Sequence, residues 1–170
     1  GELFWKRQST AEAFHQYKKI KELDASDLKA RQMLVSIYLS LDKNSEALEE
    51  AIALTQNAPG NYRLHVLLRE LFKQQGLEQE GYKKYLDGFQ FAIEQEMKDE
   101  CLSYLYEVFQ PSFLTKMRKL GFYQRVEGLL EKCRTQMPDL VRADFAYTAY
   151  GIHRGSEVVK NTGMQAIVKK

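Results

Sequence analysis

Slid against itself by about 34 residues, the chain comes into phase. Phe4, Tyr38 and Phe72 fall in one aromatic column, and Ala13, Ala47 and Gly81 in a column of small residues. Tyr17, Ala51 and Tyr85 form a third column, and Ile20, Leu54 and Gly88 a fourth. Small, aromatic and aliphatic sites seldom keep such phase over two intervals unless equal units stack, because each unit must then meet the next with the same geometry. The period is that of a helical hairpin. An all-α chain of antiparallel helical hairpins, with helices of about 12 to 17 residues, is therefore expected.

Local signals agree with the period. Ala13, Phe14, Tyr17, Ile20 and Leu23 form a helical stripe over Thr10–Asp24, with Ser9 and Glu12 spaced as a capping box. Leu3-Phe4-Trp5 read as the end of a preceding helix. Asp24-Ala25-Ser26-Asp27 breaks the pattern and caps a helix over Leu28–Leu41, with Met33, Leu34, Ile37, Tyr38 and Leu41 on one face. After Asp42-Lys43-Asn44 a helix starts at Ser45 and stops at Asn57, because Pro59 cannot continue it. A second pair covers Tyr62–Gln75 and Glu78–Glu94, broken at Gly76. Gly121 then repeats Gly76 as a turn, and Pro138 repeats Pro59 as a helix stop. Gly121 follows Gly76 by one period and eleven positions more, so a longer helix or an extra loop between Glu94 and Pro111 must absorb the excess. Phe113, Met117, Val126, Leu130 and Cys133 supply the core of this unit, and a last helix covers Leu140–His153. The units divide as 3–27 (partial), 28–61, 62–95, 96–140 (longer and less regular) and a C-terminal cap over 141–170. Only three prolines occur in 170 residues, which leaves long stretches free to stay helical.

Arg31-x2-Leu34-Val35-x2-Tyr38, then Ala47-x3-Ala51, then Pro59, resembles the tetratricopeptide repeat family, whose unit of about 34 residues reads W-x2-L-G-x2-Y…A-x3-F…P. His65-x2-Leu68-Arg69-x2-Phe72, then Gly81-x3-Tyr85, resembles it again, as does Phe4 with Ala13-x3-Tyr17. Arg31 and His65 stand where the family often has a large apolar residue, and Val35 and Arg69 where it often has a small one. The resemblance implies a right-handed α-solenoid whose first helices line a concave face that binds a partner's peptide or helix. By position that face comprises Lys29, Gln32, Ser36 and Leu39, then Arg63, Val66, Glu70 and Lys73. The set is mixed in charge and partly apolar, and suits a peptide with apolar anchors and acidic groups. Chaperone-binding members clamp a C-terminal carboxylate with Lys and Asn. Here Gln32, Ser36 and Leu67 hold those places and only Arg63 fits, which argues against that role.

Little in the chain points to catalysis, a metal or a cofactor. His15, His65 and His153 are scattered over three units, without Asp, Glu or Cys at ligand spacing, and no phosphate loop, nucleophile elbow or carboxylate pair occurs. Glu94, Glu96, Asp99 and Glu100 read as a solvated acidic face. Phe122, Tyr123, Phe145, Tyr147 and Tyr150 read as core or cap, and as a protein interface where exposed. A net charge of +2 with interspersed signs, as in Lys18-Lys19-Ile20-Lys21-Glu22, argues against nucleic acid, and no apolar run approaches the ~20 residues that span a bilayer. Cys101 and Cys133 lie among apolar neighbours and read as buried free thiols, hence an intracellular, cytoplasmic or nuclear, setting. The leading expectation is a non-catalytic interaction module or scaffold within a larger assembly. The alternatives are a nucleic-acid-binding helical repeat and a regulatory module attached to an enzyme.

The chain begins with Gly1 and inside a unit, so an excerpt of a longer protein is expected, with Phe14, Tyr17 and Ile20 losing part of their cover. An apolar edge of that kind recruits neighbours. The chain should therefore self-associate, or melt at a lower temperature than a form extended by one helix at its N-terminus. Sedimentation and thermal melts of the two decide; equal melting temperatures and strictly monomeric behaviour would show that Leu3, Phe4 and Trp5 already cap the stack.

Overall fold

The computed structural model describes residues 2–140, and their side chains from residue 8 onward. The expected 141–170 cap, most of the Leu140–His153 helix, and Phe145, Tyr147 and Tyr150 lie outside the described residues, as does the side chain of Phe4. The described residues are all-α, with eight helices and no strand: α1 Glu2–Leu23, α2 Leu28–Ser40, α3 Asn44–Asn57, α4 Tyr62–Gln74, α5 Glu78–Glu94, α6 Lys98–Val108, α7 Pro111–Leu120 and α8 Tyr123–Gln136. Such a succession is consistent with a helical repeat.

Helix starts and stops recur with the period. Asp27 and Asn61, one period apart, cap α2 and α4 by accepting hydrogen bonds from the amides of Ala30 (2.8 Å) and Leu64 (3.1 Å). The two helices have 13 residues each. Both are followed by a residue in the left-handed region, Asp42 (φ 56°) and Gly76 (φ 74°). The next amide reaches back five residues, Lys43 to the Tyr38 carbonyl and Leu77 to that of Phe72, at 2.9 Å in both cases. This closes the helix end and reverses the chain. Glu96 (φ 52°) and Gly121 (φ 78°) make the same turn, with Met97 bonding to Ala92 and Phe122 to Met117, again at 2.9 Å.

The other kind of end precedes proline. Ala58 (φ −136°, ψ 67°) and Met137 (φ −133°, ψ 64°) take the same conformation before Pro59 and Pro138, because a residue before proline is driven out of the helical region. Gln110, extended before Pro111, separates α6 from α7 in a similar way. These two kinds of end explain the excess of eleven residues between Gly76 and Gly121. Neither a longer helix nor a loop fills it; an additional helix does. Helix α5 closes at Glu96 with the left-handed turn that closes α2 and α4, and α6 stops before a proline as α3 and α8 do.

The chain divides into two compact units, residues 1–85 and the residues from 86 onward, with the boundary inside α5. In the first, α1 packs on α2, α2 on α3 and α3 on α4. Val35, Ala47, Leu48, Ala51, Leu54, Leu68 and Leu71 form its buried cluster. Each of the larger aliphatic side chains contributes about 1.5–3 kcal/mol by leaving water. Ala47 and Gly81 follow the left-handed residue by five positions and are both buried, which marks where paired helices cross. A Cβ added to Gly81 would lie 2.9 Å from the Arg69 carbonyl oxygen and 3.0 Å from Cβ of Phe72. The second unit holds Phe113, Met117, Val126, Leu130 and Cys133 in its core, all buried as expected. Phe89 stacks on Tyr104 (5.1 Å between centroids), and Asp87–Arg125 (2.6 Å) and Glu94–Lys132 (3.4 Å) pair α5 with α8. The two ion pairs have the same separation in sequence, so these two helices run parallel.

Three local expectations are corrected. Residues 2–23 are one helix of 22 residues, not a helix end followed by a capped start. A capping box needs a non-helical Ser9, and no glycine or proline interrupts the chain there to provide one. Of the face expected on α2, Leu34 and Ile37 are buried, but Met33 and, just past the helix, Leu41 are exposed while Ala30 and Val35 are buried, so the apolar face is partly turned from the one expected. Helices α6 and α7 have 11 and 10 residues, shorter than expected, because Pro111 and Gly121 cut them.

Two helical glycines, Gly81 and Gly128, should respond oppositely to alanine. Gly81→Ala is expected to lose about 1–3 kcal/mol by forcing α4 and α5 apart. Gly128→Ala, in α8 with nothing within 4 Å of the added Cβ, is expected to gain about 0.5–1 kcal/mol from helix propensity alone. Urea unfolding of both variants against the parent measures this.

Candidate functional site

The eight expected contact residues sit on α2 and α4, within the first unit. Because the two helices start and stop one period apart, Lys29 and Arg63, Gln32 and Val66, Ser36 and Glu70, and Leu39 and Lys73 occupy equal positions along them. Lys29, Gln32, Ser36, Arg63, Glu70 and Lys73 are exposed. Val66 is half-buried, and so is Leu39, which packs against the buried cluster and offers only part of its surface. The Ser36 hydroxyl donates to the Gln32 carbonyl (3.2 Å), a bond within its own helix. The surface therefore carries three cations, one carboxylate, two small polar groups and partial apolar area from Leu39 and Val66.

Further polar and charged clusters lie elsewhere among the described residues. Glu50 on α3 is 5 % exposed. Its carboxylate accepts from Lys21 of α1 and, at 2.8 Å, from Arg31 of α2. Arg31 also donates to the Ala25 carbonyl from Nε (3.0 Å) and Nη2 (2.8 Å), tying in the α1–α2 turn. Burial first, and the Glu50 charge second, push the Tyr38 phenol above its ordinary value, so the ring acts as neutral packing. Arg69 lies over the rings of Tyr82 (4.9 Å) and Tyr85 (4.6 Å), which lets a large side chain leave the crossing that Gly81 keeps open. Nε2 of the buried His65 lies 2.7 Å from the Pro59 carbonyl, which can only accept, so that nitrogen carries the proton and braces the α3–α4 turn. Glu94 accepts from Gln90, which holds its carboxyl below the usual range, and pairs with Lys132. Asp99 and Glu100 lie in the first turn of α6, where carboxylates complement the helix dipole. The acidic stretch is therefore a helix junction.

Sequence reasoning missed the Lys21–Glu50–Arg31 cluster, although Arg31 stood out as a charge at an apolar position. Phe122 and Tyr123 are half-buried, with Arg118 over the Tyr123 ring (4.6 Å). Cys101 and Cys133 are buried free thiols, as expected. No group of three or more His, Cys, Asp or Glu arranged for a metal occurs among the described residues, and no helix among them is long and apolar enough to cross a membrane. No family model matches the chain, and no curated protein matches it significantly.

The cluster around Glu50 makes unequal demands on its two cations. Lys21 is partly exposed and Arg31 largely buried, so Lys21→Met should cost about 1 kcal/mol and Arg31→Met about 2–3. The double variant strands a buried carboxylate and should lose about 3–5 kcal/mol. Denaturant unfolding of the three variants checks the ordering; a double loss below about 1 kcal/mol would mean that water, and not the two side chains, holds the charge.

Proposed function

We propose that this chain is a non-catalytic interaction module of tetratricopeptide-like hairpins, wound as a right-handed α-solenoid. It takes a peptide or helix of a partner protein on the concave face that α2 and α4 line. The observation that carries it is the equality of those two helices: same length, same cap and same left-handed exit, one period apart. Equal helices present equal positions, so Lys29, Gln32, Ser36, Leu39, Arg63, Val66, Glu70 and Lys73 form two matching rows. The ligand that suits them has apolar anchors for Leu39 and Val66 and carboxylates for Lys29, Arg63 and Lys73.

Reversing Arg63 and Lys73 together to Glu is the test. Both are exposed, so helicity by circular dichroism should not change. Partners captured by the parent protein should be depleted by roughly tenfold or more in the variant, since about 1.4 kcal/mol of lost attraction is one decade in affinity. Unchanged recovery of every partner would move the binding surface off α2 and α4.

A further inference from the structure

Helix α6 is the helix for which the 34-residue period has no place, and its inner side is already packed: Cys101, Tyr104, Leu105 and Val108 are buried. It carries a second apolar row all the same. Leu102 and Tyr106 are 49 % and 77 % exposed, and no other large hydrophobic side chain is exposed among the described residues of the second unit. The two stand one helical turn apart. Phe109, half-buried, follows Tyr106 by three positions, so the three fall in one row at i, i+4 and i+7. A single exposed leucine needs no explanation. A leucine and an aromatic ring side by side, on the outside of a helix whose inside is complete, mark an interaction surface. Charge decides what that surface takes. Helix α6 has Lys98 against Asp99, Glu100 and Glu107, and the exposed Glu96 precedes it. Asp99, itself exposed, stands one turn before Leu102. Whatever covers the row must therefore meet carboxylates at its edge.

We propose that the outer face of α6 docks a basic amphipathic helix of a partner protein. Aliphatic side chains of that helix lie over Leu102, Tyr106 and Phe109, and its lysines or arginines face Asp99 and Glu96. Tyr106 is the anchor, because a ring with a polar tip buries much area and loses little conformational freedom. Lys98, four positions before Leu102 at the head of the row, is the one group of α6 that calls for an acid on the partner, and it fixes the direction in which the helix lies. This surface is opposite in sign to the one on α2 and α4, where Lys29, Arg63 and Lys73 outnumber Glu70. A basic helix is repelled there and an acidic ligand is repelled here, so the two surfaces take different partners and this one stands without the other.

The full chain is titrated into labelled peptides of about 18 residues at physiological ionic strength, and binding is read by fluorescence anisotropy. One peptide has leucine at i, i+3, i+4 and i+7 and lysine on its other side; in its twin every lysine is glutamate. The lysine peptide should bind, and its twin roughly tenfold more weakly or less. Leu102→Ser with Tyr106→Ser changes only exposed side chains, so helicity by circular dichroism should hold. That variant should weaken the lysine peptide by roughly tenfold or more, and Asp99→Lys by about threefold or more. Should the double variant lose helicity, Tyr106→Ser alone and Asp99→Lys decide. Arg63→Glu with Lys73→Glu should not weaken the lysine peptide, which separates this face from that of α2 and α4. Binding of neither peptide, equal binding of both, or a lysine peptide held as well by the serine variant as by the parent would each overturn the proposal. So would a parent that sediments as a dimer while the serine variant is monomeric, since a second copy would then be the occupant.

Discussion

The left-handed turn that closes a helix and sends the chain back is the constraint on which both units rest. It occurs at Asp42, Gly76, Glu96 and Gly121, each time with the following amide bonded five residues back at 2.9 Å. Because the turn is so short, it sets both where the next helix starts and which residue lies at the crossing. That residue is Ala47, Gly81, Cys101 or Val126, buried in every case. Two of the four turns use residues other than glycine and bear roughly 1–2 kcal/mol of steric cost each. The backbone bonds and the crossing behind them outweigh that cost. A conformation kept against its local penalty is one that the packing requires.

Apolar stripes alone would leave the helices of the first unit free to slide by a turn, since one aliphatic layer resembles the next. Glu50 removes that freedom. Its carboxylate joins α1 through Lys21 and α2 through Arg31, while Arg31 also grips the Ala25 carbonyl. A slip by one turn would separate a buried charge from both cations, which costs several kcal/mol where a misplaced leucine costs far less. The second unit has a different arrangement, with ion pairs at its surface, Asp87–Arg125 and Glu94–Lys132, and two buried thiols, Cys101 and Cys133, inside.

What could be read in the sequence was what local chemistry decides. Asp27 as a cap, Pro59 and Pro138 as stops, and Gly76 and Gly121 as turns need only their immediate neighbours, and each is where it was expected. Asp42 and Glu96 were not legible as left-handed residues, because their side chains disfavour that conformation and only tertiary packing enforces it. Glu96 matters most, since the turn it makes creates α6, and without it the eleven extra residues had no assignment. Ser9 and Glu12 fit a capping pattern that a continuous helix simply runs through. Lys21 and Arg31 come to Glu50 from 29 and 19 residues away, beyond the reach of any local pattern. Burial of Cys101 and Cys133 followed from their apolar neighbours.

The candidate surface differs in kind from the core. Along α2 and α4 the caps, the exits and the crossings are held equal by packing, yet the outward positions are not. Lys29 and Arg63 keep the same charge, but Gln32 faces Val66 in the equivalence, Ser36 faces Glu70 and Leu39 faces Lys73. Two helices with the same backbone task thus carry three unlike pairs out of four on one side. Folding does not determine these side chains, so their chemistry is available to be set by whatever they touch. A ligand held across both rows, as proposed, would meet an unlike chemistry at each step, with cations at both ends of the α4 row and a carboxylate between them. An extended or helical segment with its own fixed order of apolar and acidic groups can match such a pattern in one direction only. Direction, more than affinity, is what a surface of this kind would read.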